Sequence, residues 1–109
     1  MITEIREYIT KGDKISLKYD LTLDGQPYDL EQFDNILIEV REGLTDRTTL
    51  VEKLELGDGI SVSGNELTMQ IDTTGWPVKV LYADARFELD GDLDTLFKMI
   101  LNIRQNITA

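Results

Sequence analysis

Strict alternation of apolar and polar residues is the feature that most limits what this chain can fold into. Ile15, Leu17, Tyr19, Leu21 and Leu23 interleave with Lys14, Ser16, Lys18, Asp20 and Thr22. A period of two puts every apolar side chain on one face of an extended strand and every polar one on the other. Wound as a helix, the same residues would scatter apolar groups around the whole cylinder. The pattern recurs at Leu81, Ala83, Ala85, Phe87 and Leu89, set between Tyr82, Asp84, Arg86 and Glu88. It returns at Ile36, Ile38 and Val40, where Leu37 adds an apolar residue to the opposite face and predicts a more deeply buried strand.

Turn chemistry punctuates these runs. Asp24-Gly25, Gly57-Asp58-Gly59, Ser63-Gly64-Asn65 and Asp90-Gly91-Asp92 are dipeptides and tripeptides that accept positive φ. Between them lie shorter candidate strands: Thr49 to Leu56, the pair Ile60 and Val62, and the run Leu67, Met69 and Ile71. Pro27 to Asn35 reads as an irregular connection with one helical turn, whose Leu30 and Phe33 plug one end of the core. Thr73-Thr74-Gly75-Trp76-Pro77 reads as a crossing segment. No strand is assigned to Met1–Asp13, where Glu4, Arg6, Glu7 and Lys11 interrupt isolated apolar residues.

The segment 93–104 fits two patterns. As a strand it lines up Phe97, Met99, Leu101 and Ile103; as a helix it gives a stripe of Leu93, Leu96, Phe97, Ile100 and Leu101. The Asp90-Gly91 turn invites a hairpin return and favours the strand. About seven to eight short strands with regular turns predict an all-β, antiparallel β-sandwich. The 109 residues favour one domain, 1–109.

Composition narrows the chemistry. With no Cys, thiolate nucleophiles, disulfides and thiolate metal sites are excluded; with no His, a Ser-His-Asp arrangement is too. A formal net charge of -10 repels phosphate backbones and anionic bilayers, so neither nucleic acid nor membrane is an expected partner. Residues 1–13 contain no apolar run of the kind a secretory leader carries, which points to synthesis in the cytoplasm.

The remaining site candidates are acids and aromatics. Asp90, Asp92 and Asp94 form a dense carboxylate cluster of the type that ligates calcium, but no Gly or distal Glu completes a calcium loop, and a solvated turn is the simpler reading. Asp24, Asp29, Glu31 and Asp34 crowd around Pro27, where paired carboxylates for glycoside hydrolysis compete with plain turn-forming. Trp76, with Tyr82 and Tyr8, Tyr19 and Tyr28, offers a sugar-stacking platform as the alternative to packing. Arg86 and Arg104 read as ion-pair partners for the excess acids. Asn106-Ile107-Thr108 matches a glycosylation acceptor without consequence in the cytoplasm. No catalytic residue and no cofactor is expected.

Taken in order, several of these segments resemble bacteriophage and prophage structural proteins, in particular the N-terminal domain of siphophage baseplate upper proteins and related small Ig-like virion domains. Lys11-Gly12-Asp13 precedes an alternating strand, and Asp24-Gly25-Gln26-Pro27-Tyr28-Asp29-Leu30 is similar to the family's turn between its first strands. Leu81-Tyr82-Ala83-Asp84-Ala85-Arg86-Phe87 resembles its tyrosine strand. Thr95-Leu96-Phe97, Leu101, Ile103 and Ile107-Thr108 resemble its closing strand. The chain departs from the pattern at Met99, where the family carries Gly, and at the bulkier turn Thr74–Lys79.

The resemblance implies an Ig-like sandwich and a strand over the C-terminal segment. It also implies a non-enzymatic module of a virion, baseplate or tail, that packs against copies of itself or other virion proteins. Made in a bacterial cytoplasm, it would end in the particle as a homo-oligomer or part of a larger assembly. Trp76, Leu96 and Ile100 are then the interface candidates. A carbohydrate-binding β-sandwich module is the alternative.

Overall fold

Among the residues that the computed structural model describes, 3–45 and 47–105, eight strands hydrogen-bond into one continuous sheet. In chain order the strands are β1 (Thr3–Thr10), β2 (Lys14–Asp20), β3 (Thr22–Leu23), β4 (Gln26–Pro27), β5 (Asn35–Arg41), β6 (Leu50–Leu56), β7 (Gly59–Ser63), β8 (Glu66–Asp72), β9 (Val80–Leu89) and β10 (Asp92–Arg104). Across the sheet the order is β1-β10-β9-β5-β6-β7-β8-β2; β3 and β4 form a separate small ribbon. The β1–β10 and β6–β7 pairs are parallel, and the other pairs are antiparallel.

The period-two pattern gives this sheet one apolar face. Ile36, Ile38 and Val40 of β5, Leu67, Met69 and Ile71 of β8, and Phe97, Met99, Leu101 and Ile103 of β10 are all buried on it. Ala83 and Ala85 of β9 are buried too, and their small side chains leave room for the bulk of Met99 and Phe97 paired opposite them. A lone sheet cannot hide such a face, so this one curls until the face meets itself. Tyr19 on edge strand β2 lies with its ring 6.2 Å from Phe97 of β10, across the interior, while Phe97 and Phe87 of the neighbouring strand β9 stand 6.2 Å apart on one wall.

The expected two-sheet, Ig-like β-sandwich is therefore corrected. The chain is all-β, but its walls are two arms of one mixed sheet curled into a half-barrel. The physical reason is the corner between β6 and β7. Glu55 N–H donates to Asp58 O at 3.0 Å and Gly57 N–H to Ile60 O at 2.9 Å, so the chain makes a full loop and β7 leaves beside β6 in the same direction. Hydrogen bonding runs through the bend without a break. Gly57 at φ 89° and Gly59 at φ 96° permit it. A Cβ on Gly59 would also stand 2.6 Å from Leu54 Cδ2, inside the core.

The C-terminal segment is a strand, and the helical alternative for 93–104 falls. β10 is bonded on both flanks, antiparallel to β9 and parallel to β1, which satisfies a backbone that a helix would satisfy internally. A bulge between Thr95 and Phe97 makes Leu96 the extra residue. β1 itself was not expected from the alternation. Its inward positions are Ile5, Glu7 and Ile9, and the acid in the middle hides the period.

The turns follow their residues. Asp24-Gly25 and Asp90-Gly91 both have positive φ at both positions, as two-residue hairpin turns require. One end of the half-barrel is plugged by the 3-10 turn Leu30–Gln32, capped by Asp29 and tied down where Leu30 N–H donates to Gly64 O at 2.9 Å. At the other end Thr73, fully buried, fastens the β1–β2 turn. Its Oγ1 accepts from Gly12 N–H at 2.9 Å and lies 2.9 Å from Asp13 O, to which it donates, while its own N–H donates to Asp13 O at 3.0 Å.

Two substitutions test these two constraints. Gly59→Ala is expected to cost about 2–4 kcal/mol, combining a left-handed backbone with overpacking against Leu54. Gly75→Ala, where an added Cβ meets nothing within 4 Å, serves as the near-neutral control. Thr73→Val should cost about 1–3 kcal/mol by stranding the Gly12 N–H. Urea denaturation measures all three; a Gly59→Ala midpoint equal to that of Gly75→Ala would refute the corner.

Candidate functional site

A sheet that curls without closing leaves two edges, and here they are neighbours. β1 pairs only with β10 and β2 only with β8 among the described residues, although β1 and β2 follow one another in the chain. Their joining turn is held at the Thr73 end, where Lys11 N–H also donates to Arg104 O at 2.9 Å. From that fastened end the strands run toward the other end of the molecule without bonding to each other. The gap between them is the seam of the half-barrel.

Toward its open end the seam widens into a cleft of about 410 Å³. Ile5, Leu21, Tyr28, Leu96 and Phe97 line it with apolar surface, and Lys18 and Asp20 stand at its margin. Phe33 braces the aromatic wall from behind, 5.7 Å from Tyr28 and 5.0 Å from Phe87, edge to face in both cases. Beside Lys18, Asp20 and Thr22, the lining includes Tyr19. Its ring packs on Phe97, and its hydroxyl is buried without a hydrogen-bond partner among the described residues. Burial pushes the phenol well above its ordinary range, and the nearby negative charge of Glu7 pushes it further. Glu7 also favours the protonated phenol as a nearby side-chain acceptor, although it stands outside strict hydrogen-bond geometry, so the O–H has no partner at bonding distance among the described residues.

The outer face of the sheet carries a second depression of about 270 Å³ beside the loop that follows β5. Its charges neutralise one another. Arg41 meets Glu39 at 3.3 Å and donates to Thr48 O at 2.8 Å, while Arg86 stands 4.0 Å from the same Glu39. Leu44, 81% exposed, rims it.

Trp76 is only 3% exposed and belongs to the core, so it offers neither an interface anchor nor a stacking face. Leu96 would point away from Phe97 in a regular strand; the bulge instead turns it against the core and into the seam cleft beside Phe97. Ile100 is half-buried and lines the outer depression. Only Leu96 and Ile100 therefore remain accessible as interface residues, and on opposite faces.

The acids have structural tasks. Asp90-Gly91 is the β9–β10 turn, and Asp92 and Asp94 are exposed at the start of β10. Among the described residues no three acids converge in a way that could hold a metal ion, so the calcium candidate Asp90, Asp92 and Asp94 is not assembled. Asp29 caps the 3-10 turn, Glu31 accepts from Gly64 N–H at 3.0 Å, and Asp34 accepts from Asp90 N–H at 3.0 Å. Asp24 occupies its own turn. These carboxylates fasten loops and do not face each other across a reaction site. Arg104 stacks over Tyr8 at 4.4 Å in place of the expected ion pair. The glycosylation pattern Asn106-Ile107-Thr108 lies outside the described residues.

Sequence reasoning missed the seam itself. Tyr19 and Leu21 are legible only as the apolar face of a strand, and nothing local says that this strand is an edge. No protein-family model matches the chain, and no curated protein matches it in sequence.

The buried phenol makes a pH prediction. Its folded-state pKa is raised, so its effect on stability is absent below the ordinary tyrosine range and appears as pH climbs past about 10, where the unfolded chain ionises and the folded one does not. Stability should fall with pH there. Tyr19→Phe should flatten that fall and, by removing an unpartnered hydroxyl, leave neutral-pH stability unchanged or raised by about 1 kcal/mol. Denaturant midpoints across the alkaline range, with phenolate absorbance of the folded protein, measure it. If all 4 tyrosines of the folded chain titrate together at the ordinary pKa, the buried hydroxyl is refuted.

Proposed function

We propose that this chain is a non-enzymatic structural or assembly module of a phage or prophage particle, baseplate- or tail-associated, that works through protein–protein contact. One observation carries the reading: two adjacent strand edges, β1 and β2, stand unpaired beside each other among the described residues. Unpaired backbone N–H and C=O groups on a strand edge are a template for another chain. Chemistry built from acids alone would need them to converge, and the carboxylates near the turns are engaged with backbone amides instead.

The likeness in local patterns, from Lys11-Gly12-Asp13 to the closing strand, supports the particle. It no longer lends its fold, because the Ig-like sandwich it implies is replaced by a half-barrel. The surface therefore bears the weight. Exposed apolar side chains at Tyr8, Leu23, Leu44 and Leu93 add area that contact with a partner would cover. The carbohydrate alternative loses Trp76 to the core.

Native mass at micromolar concentration, alone and after co-expression with the proteins encoded beside it, tests this. A defined oligomer or a stoichiometric complex with a neighbouring structural protein is expected. A strict monomer that binds none of those neighbours would overturn the reading.

A further inference from the structure

Three features of the seam converge on one kind of occupant. The first is backbone. The cleft runs along β2 rather than β1: Lys18, Tyr19 and Asp20 of β2 line it, against Ile5 alone from β1. The flank of β2 turned away from β8 has no ladder partner among the described residues. β1, by contrast, turns Glu7 inward toward the seam, and an inward charge discourages pairing at an edge.

The second is lining. Ile5, Leu21, Leu96, Phe97 and Tyr28 present an apolar wall that alternate side chains of an added strand would meet, since every second residue of a strand points the same way. Tyr19, another lining residue, has its O–H buried with no partner at hydrogen-bond distance among the described residues. A buried hydroxyl without an acceptor costs stability in the free chain, and an incoming carbonyl would relieve it.

The third is charge. The end at which the seam opens carries Asp20 in the cleft margin, Asp24 in the turn just beyond Leu23, and Asp92 and Asp94 just before Leu96. Asp94 is paired across from the buried Phe87, which puts it on the concave side with the cleft. Lys18 is the opposing charge at the margin. With a formal net charge of -10, a second copy of this chain would bring more acid to an acidic rim.

We infer that the seam cleft is a docking site for an extended segment of a different, basic protein. The segment would lie along the free flank of β2, seat alternate apolar side chains against the half-buried Leu21 and Leu96, and accept a hydrogen bond from Tyr19. This rests on the assembly reading and gives it a partner chemistry: alternating apolar residues flanked by Lys or Arg. Because β1 and β2 run in opposite directions, such a segment is antiparallel to one and parallel to the other, which keeps it a strand in either polarity.

The test uses the full chain and fluorescein-labelled peptides about nine residues long, the length of an ordinary strand, alternating Leu, Ile, Val or Phe with Thr and ending in Lys at both termini. Fluorescence anisotropy should show saturable binding by members of this set. Exchanging the Lys ends for Glu should weaken it about tenfold, and raising salt should weaken the Lys peptides. Placing Pro at the inward positions should abolish binding. Tyr19→Phe, which keeps the fold, should weaken it about fivefold, the equivalent of one hydrogen bond, while Leu44→Asp on the outer face should leave it unchanged. Hydrogen exchange should show new protection at β2 amides not bonded to β8.

The inference is overturned if no peptide binds, or if the Glu-ended or Pro-containing sets bind as well. It is equally overturned if Tyr19→Phe binds unchanged or protection appears on the outer face. A chain that enters a complex with a neighbouring structural protein yet ignores every peptide refutes the seam and leaves the assembly reading standing. A chain that does neither refutes both.

Discussion

Everything in this molecule depends on how the sheet turns its corner at Gly57–Gly59. An eight-stranded sheet with one apolar face must hide that face. The usual routes are a second sheet or a helical layer. Here the hydrogen-bond ladder itself is carried around a loop of left-handed glycines, so β7, β8 and β2 swing over β5, β9 and β10 without leaving the sheet. The aromatic contact across the interior, Tyr19 to Phe97, exists because of that bend. So does the seam, since a sheet rolled this far brings its two edge strands, β1 and β2, side by side without bonding them.

The two ends of the seam are unlike. At one, Thr73 gathers the backbone of Gly12 and Asp13, and Lys11 reaches Arg104, so the strands cannot part. At the other, the chain leaves β2 for the Asp24-Gly25 ribbon, and a bulge turns Leu96 toward the space between. A half-barrel fastened at one end and open at the other has a built-in direction. Its rigid end sets where the edges start, and its open end sets what can reach them.

Much of this was legible in the residues. The alternation at Ile15–Leu23 and Leu81–Leu89 marks two half-buried strands, and Asp24-Gly25, Gly64-Asn65 and Asp90-Gly91 mark tight turns, because these signals live within a few residues of one another. Leu30 as a plug was legible for the same reason. What was hidden is nonlocal. Gly57-Asp58-Gly59 looks like any turn, and only its bonds show that it joins two arms of one sheet. The pairing of Thr3 with Phe97 has no signature near either residue. Glu7, facing inward, erases the period that would have announced β1. The seam inherits this illegibility: its lining comes from β1, β2, β3, the β4–β5 connection and β10, and no window of sequence contains them together.

The parallel pairing of the first strand with the last also fixes an order in time. The only partner of β1 among the described residues, β10, is synthesised after all the strands that lie between them in the chain. β5, β6 and β9 can find one another earlier, since their contacts span shorter loops. Contacts of such long range place this fold among the slow ones, with relaxation on the order of milliseconds to seconds. Until β10 is made, β1 lacks that partner, and charged side chains at Glu4, Arg6 and Glu7 disfavour its pairing with another strand edge. The charge that obscures β1 in the sequence thus also guards it while it waits.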